Sequence, residues 1–195
     1  MTESVETTDA QKLIIAMLCD QGKMLQRLLG EDAIAHNFDY DLVYQGVTDG
    51  QSWMLRWKYG HVFNDGGTGE GDPETVQQVA RNFTMWSFIE RSVANWTPEQ
   101  TADFESRVER HETTPRYDGY DGNAEDEYGI ASRMVEDVGR FQEFENRDHN
   151  AHMPTAERYR RMERAWREVW ERMGHNTRDM TPEEVANVII AGRRL

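Results

Sequence analysis

Apolar residues recur along this chain at helical spacing, and nowhere does the period-2 alternation of a strand persist. Ile14, Met17, Leu18, Leu25 and Leu28 define a first helix. Thr8 and Gln11 have capping-box spacing at its start, and Gly30 sits where a C-terminal stop belongs. Gly22 is a weak point in its middle and suggests a bend. Phe38, Leu42 and Val43 predict a short helix ending near Gly46; Trp53 and Trp57, one turn apart, predict another ending at Gly60. The stretch 64–72, NDGGTGEGD, reads as a loop that closes on Asp72-Pro73, an N-cap followed by proline at the first helical position.

A long helix follows, with Val76, Val79, Phe83, Trp86 and Val93 on one face. It stops before Thr97-Pro98-Glu99-Gln100, a second capped start, after which Phe104 and Val108 mark a helix. Residues 112–124 read as a loop. Ala131, Met134, Val135, Val138 and Phe141 predict a helix over 125–144, roughly 30 Å long by the usual rise per residue. After a polar segment at 145–155 comes the clearest pattern, Tyr159, Met162, Trp166, Val169, Trp170 and Met173, ended by Gly174. The last helix opens on the capping box of Thr181 and Glu184, with Met180 and Val185 at staple spacing. The expected fold is all-α: a single-domain bundle of about seven helices over 8–195, behind a disordered tail at 1–7.

Composition narrows this further. The chain has 195 residues, 37% apolar and 30% charged, which is globular and polar. Its one cysteine, Cys19, excludes an intrachain disulfide, and its apolar neighbours make it a small core residue more readily than a nucleophile. No secretory signal opens the sequence and no apolar run approaches a membrane span, so the expectation is a cytoplasmic protein with no membrane partner. The net charge of −14 argues against broad binding to nucleic acid. The charge is uneven: residues 1–157 carry 13 Lys/Arg against 30 Asp/Glu, and residues 158–195 carry 9 against 6. A local anion site is compatible with that tail.

Four groups of residues could carry chemistry. In RDHNAH, Arg147, Asp148 and His152 match the R-[N/D/H]-x3-H pattern of HEPN-type ribonucleases. There the arginine would stabilise phosphate charge and the histidine would move protons without a metal. The plainer reading is that Asp148 and Asn150 make turn bonds and the histidines lie on a polar surface. In DGYDGNAEDE (118–127), clustered carboxylates suggest Ca²⁺ or Mg²⁺, but the order is not that of an EF-hand. Asp121 and Asn123 read better as a turn and helix cap. Asp148, His149 and His152 offer metal-ligand types without a supporting motif, so no metal and no cofactor is expected. The arginine stripe at 158–172 could meet phosphates, but Glu157–Arg161, Glu163–Arg167 and Glu168–Arg172 have favourable i,i+4 spacing, and the stripe reads better as a salt-bridged face.

Several blocks resemble the YfbU family, a group of helical bacterial proteins. They are TDAQKLIIAMLCDQGKML (8–25), MWSFIERS (85–92), DGYDGNAEDEYGIASRMV (118–135), GRFQEFENRDHNAHMPTAERYRRM (139–162) and NVII (187–190). The resemblance brings no established catalytic residues. It implies a ligand-sensing or regulatory role, because the family domain is sometimes joined to a helix-turn-helix segment. Only seven residues precede the first helix here, so a DNA-binding partner is expected as a separate chain. Some members lack the arginine matching Arg147 and keep the acidic residue and histidine, which weakens the ribonuclease alternative.

The leading expectation is therefore a regulatory or ligand-sensing helical domain working through protein contacts as a homo-oligomer. Its ligand would be held by Asp121, Asn123, Arg147, Asp148 and His149. The alternative is an RNA-cleaving enzyme with Arg147 and His152 as its catalytic pair. Apolar residues on more than one face of helix 1, and two tryptophans on the 156–173 helix, are the grounds for self-association. The loops 117–127 and 145–155 are expected near one another, either by folding back or across a two-fold axis with Asp121 of one chain against Arg147 and His152 of another; the plainer reading is two separate exposed connections.

Overall fold

The structure, a computed structural model, describes residues 7–29, 38–63, 72–174 and 178–193. The expected stop at Gly30, nearly all of the expected tail and the loop 64–71 lie outside them. The fold is all-α, with nine helices among the described residues: α1 (Asp9–Leu29), α2 (Tyr40–Thr48), α3 (Ser52–Lys58), α4 (Gly60–Phe63), α5 (Glu74–Ala94), α6 (Pro98–Arg107), α7 (Glu127–Glu136), α8 (Ala156–Met173) and α9 (Pro182–Ala191). Short 3₁₀ turns cover Arg110–Glu112 and Gln142–Phe144. The chain divides into two compact units, residues 1–73 with 136–140, and residues 74–135 with 141–195.

In the first unit α1 packs on α2. α1 runs through Gly22 without interruption. A Cβ there would stand 2.4 Å from the Tyr40 ring, so the glycine serves close approach. Lys23 pairs with Asp41 across the same contact. Asp39 caps α2 through bonds from the Asp41 and Leu42 amides, both 3.0 Å. Asp72 also pairs across its own unit. Its carboxylate is buried and accepts from Trp57 Nε1 at 2.5 Å and Arg56 Nε at 3.1 Å.

The second unit is built around aromatic rings. Phe83 stacks on Phe141 at 4.9 Å and meets Tyr117 and Phe144; Trp86, Tyr120 and Tyr159 lie edge to face. Such rings remove large apolar areas from water, and the Tyr120 hydroxyl accepts from Asn82 Nδ2 at 2.9 Å. Burial pushes the phenols of Tyr117, Tyr120 and Tyr159 above their ordinary range. On α8, Trp166 is buried and stacks with Trp170, and both meet Phe88 of α5. Those tryptophans are thus engaged within the chain and give no ground for a partner subunit.

The helix expected over 125–144 is α7 alone, 10 residues. Gly139 adopts φ +75° and Phe141 φ +52°, so the backbone turns out of the helix. Gln142 Nε2 donates to the Val135 carbonyl at 2.8 Å, satisfying the end of α7. Val138 is buried and Phe141 stacks on Phe83, so both keep the apolar period, but they lie in a turn and not in a helix.

The helix starts follow local rules. Thr97 with Gln100 and Thr181 with Glu184 form complete capping boxes, and Met180 and Val185 are both buried. Arg178 lies on Glu184 at 2.6 and 2.8 Å and, with the Thr181 amide, holds its carboxyl down to about 2. That folded value lies below the unfolded value near 4.5. The stabilisation is therefore complete above 4.5 and is lost as pH falls through the folded value. Glu184→Gln is expected to be about 2 kcal/mol less stable at neutral pH, with the gap closing near pH ~2. Urea titrations of both proteins at the two pH values check this.

Candidate functional site

The loops at 117–127 and 145–155 meet within one chain. Tyr120 and Asn150 form an isolated parallel bridge, with the Tyr120 amide donating to the His149 carbonyl at 2.8 Å and the Ala151 amide to the Tyr120 carbonyl at 2.8 Å. Gly119 makes the approach possible. It adopts φ +91°, and a Cβ there would lie 2.2 Å from the His149 carbonyl oxygen. The short α7, roughly 15 Å, lets the chain fold back. No second subunit is needed to bring the loops together.

Each residue singled out at these loops has a structural engagement. Asp121 is buried and its Oδ1 accepts from the Asn123 amide at 2.9 Å, an Asx turn. Asn123 itself is exposed. Asp148 Oδ1 accepts from the Asn150 amide at 2.8 Å, and Asn150 Oδ1 accepts from the amides of Gly122 and His152 at 3.0 Å. The His149 ring is buried beside Phe83 and Tyr117, not on a polar surface. His152 is exposed, with φ +54°. Arg147 makes a two-pronged ion pair with Glu90, at 2.9 and 2.8 Å, and its guanidinium lies over the Phe144 ring. That hydrogen-bonded carboxylate raises the Arg147 pKa further. Glu90 also accepts from the Tyr117 amide at 2.8 Å.

The acidic loop has a task of its own. Glu125 accepts from the amides of Asp121 (2.8 Å), Thr155 (3.1 Å) and Ala156 (2.7 Å). Its carboxylate thus caps α8 from another segment, while Thr155, at the N-cap position, turns its hydroxyl to the Gly119 carbonyl at 2.6 Å. Among the described residues no group of three or more His, Cys, Asp and Glu is placed to hold a metal ion.

The open space lies beside this junction. A groove of about 790 Å³ is lined by Arg116, Asp118, Met153, Pro154, Arg158, Arg161 and residues of 109–114 and 189–193. Of the residues expected to hold a ligand, none lines it. Arg193 is spent on Glu112 and Glu109, and Arg158 reaches Asp118 at 3.3 Å. Arg161 donates to the Gly192 carbonyl at 2.7 Å, yet its Nε is buried without a hydrogen-bond partner. Arg116 is exposed and makes no ion pair among the described residues. It also lines a second cavity of about 360 Å³, together with Glu90 and Arg147.

The YfbU domain model matches residues 5–191. The chain belongs to the YfbU family. No curated protein and no solved structure matches it. Of the arginines lining the groove, Arg116 was not singled out in the sequence, and Arg158 and Arg161 were. Of these the α8 pair was visible only as part of an arginine–glutamate stripe. Glu157–Arg161 and Glu163–Arg167 do pair, at 3.6 and 2.7 Å, while Arg172 bonds to the Glu168 backbone instead.

Proposed function

We propose that this YfbU domain is a regulatory, ligand-sensing module that binds a small anion in the arginine-lined groove and acts through protein contacts. The observation that carries the reading is the set of Arg116, Arg158 and Arg161 around one groove in a protein of net charge −14. Arg116 has no acidic partner there and the Arg161 Nε lacks an acceptor. Guanidinium groups in such a setting favour phosphate or carboxylate. The protein-contact part rests on α1, where Leu13, Ile14, Met17 and Leu18 are exposed. The ribonuclease alternative fares worse, because Arg147 is already neutralised by Glu90. No helix among the described residues is long and apolar enough to cross a membrane.

Thermal unfolding with inorganic phosphate, pyrophosphate or citrate, at matched ionic strength against chloride, tests the reading. A ligand at ten times its dissociation constant adds about 1.4 kcal/mol, which raises the midpoint by about 3–5 °C for a chain of this size. Arg116→Ala with Arg161→Ala should abolish that shift. RNA incubated with the protein and EDTA should stay intact. No shift with any of these anions, or an unchanged shift in the double variant, would sink the groove; RNA cleavage lost in His152→Ala would restore the alternative.

A further inference from the structure

We propose that α1 is a self-pairing helix: two copies of the chain associate through antiparallel α1 helices, with the two-fold axis passing beside Gln21. The inference rests on the protein-contact part of the reading above and not on the groove.

Eight apolar side chains of α1, Leu13, Ile14, Met17, Leu18, Met24, Leu25, Leu28 and Leu29, are 53–78% exposed. Their spacing is a palindrome about Gln21. Leu18 and Met24 lie three residues either side of it, Met17 and Leu25 four, Ile14 and Leu28 seven, and Leu13 and Leu29 eight. At the helical turn per residue all eight fall within about 80° of Gln21, one continuous face. Gln21 itself is exposed at its centre. The residues that α1 does bury, Cys19 and Gly22, point elsewhere, with Gly22 against Tyr40 of α2.

A face symmetric about its own midpoint is self-complementary when two helices run antiparallel. Each outer pair then meets its mirror image: Ile14 against Leu28, Met17 against Leu25, Leu18 against Met24. That is the isologous geometry a two-fold dimer requires, in which residue i meets j and j meets i. The area fits as well. Eight such side chains expose roughly 900 Å² per copy, beside the ~800 Å² per partner of a standard interface. Patches of this size exceed what an ordinary monomer leaves open. A different partner would place no demand for symmetry on the sequence of α1.

Single cysteines read out the pairing by oxidative crosslinking, with light scattering alongside. Wild type should scatter at twice its 22.8 kDa chain mass at high micromolar concentration. Gln21→Cys should crosslink to itself. Leu28→Cys alone should not, since the two copies stand ~21 Å apart along the axis. A mixture of Ile14→Cys and Leu28→Cys should crosslink. Leu18→Glu with Leu25→Glu should give a helical monomer by circular dichroism. Leu28→Cys crosslinking to itself would mean a parallel pair and overturn the proposal. So would crosslinking of wild type through Cys19, which lies off the face, or failure of the mixed pair. A dimer in which Gln21→Cys stays uncrosslinked would overturn it too, while leaving the protein-contact reading standing. A monomeric wild type would remove this proposal, and a monomer that also retains no protein partner would remove both.

Discussion

Gly119→Ala is expected to destabilise the second unit by about 4 kcal/mol, the largest effect of any single methyl group at the loop junction. Two costs add. The backbone at Gly119 holds φ +91°, where an L side chain is strained. The added Cβ would also stand 2.2 Å from the His149 carbonyl oxygen and 2.4 Å from its carbon. Both are backbone atoms, fixed by the Tyr120–His149 and Ala151–Tyr120 hydrogen bonds, so no rotamer change relieves the clash. Relief requires the two loops to part, which also removes the Thr155 hydroxyl from the Gly119 carbonyl. Gly122→Ala is the control. The nearest atoms to its Cβ would belong to the Asn150 side chain, from 3.0 Å, and not to the backbone, and its φ is not in the left-handed region. It should cost under about 1 kcal/mol. Urea unfolding of the two variants decides: equal losses would show that the junction is not the constraint described.

The parts of this fold that were legible in the sequence are those fixed within a few residues. Thr97 with Gln100 and Thr181 with Glu184 announce their helices because both partners of each bond lie three apart. The 156–173 pattern maps onto α8 because its apolar stripe faces one core. The misreading of 125–144 has a physical cause. Val138 and Phe141 continue the helical period of α7, but periodicity reports which residues are buried, not the backbone that buries them. Gly139 was the local clue that the helix had ended.

What was not legible depends on distant pairs. Arg147 looked like a free cation because its partner, Glu90, is 57 residues away. The groove draws arginines from residues 109–118 and 153–161 and its far wall from 189–193, and no short motif joins them. His149 was expected on a polar surface, yet Phe83 and Tyr117 enclose it. In each case tertiary pairing decided which groups of a polar segment remained available for chemistry.

Glu125→Ala is expected to cost about 3 kcal/mol, because one carboxylate serves three backbone donors in two segments. Hydrogen bonds to a charged acceptor contribute about 1.5–3 kcal/mol each, and partial exposure brings water in to recover some of the loss. Two of those donors, the Thr155 and Ala156 amides, belong to the first turn of α8, whose N-cap side chain makes no cap bond of its own. Glu125 therefore supplies both the missing cap and a negative charge at the positive end of an 18-residue helix. Glu125→Gln keeps the shape but loses the charge and leaves one amide facing a donor, so about half the cost is expected. Asp126→Ala, an exposed neighbour, should lie within about 0.5 kcal/mol of wild type. Amide exchange provides the specific readout. Thr155 and Ala156 should lose protection in Glu125→Ala well before the middle of α8, at Met162 and Trp166, does. Uniform loss along α8, or a stability change under about 1 kcal/mol, would show that the helix start is held by something other than this carboxylate.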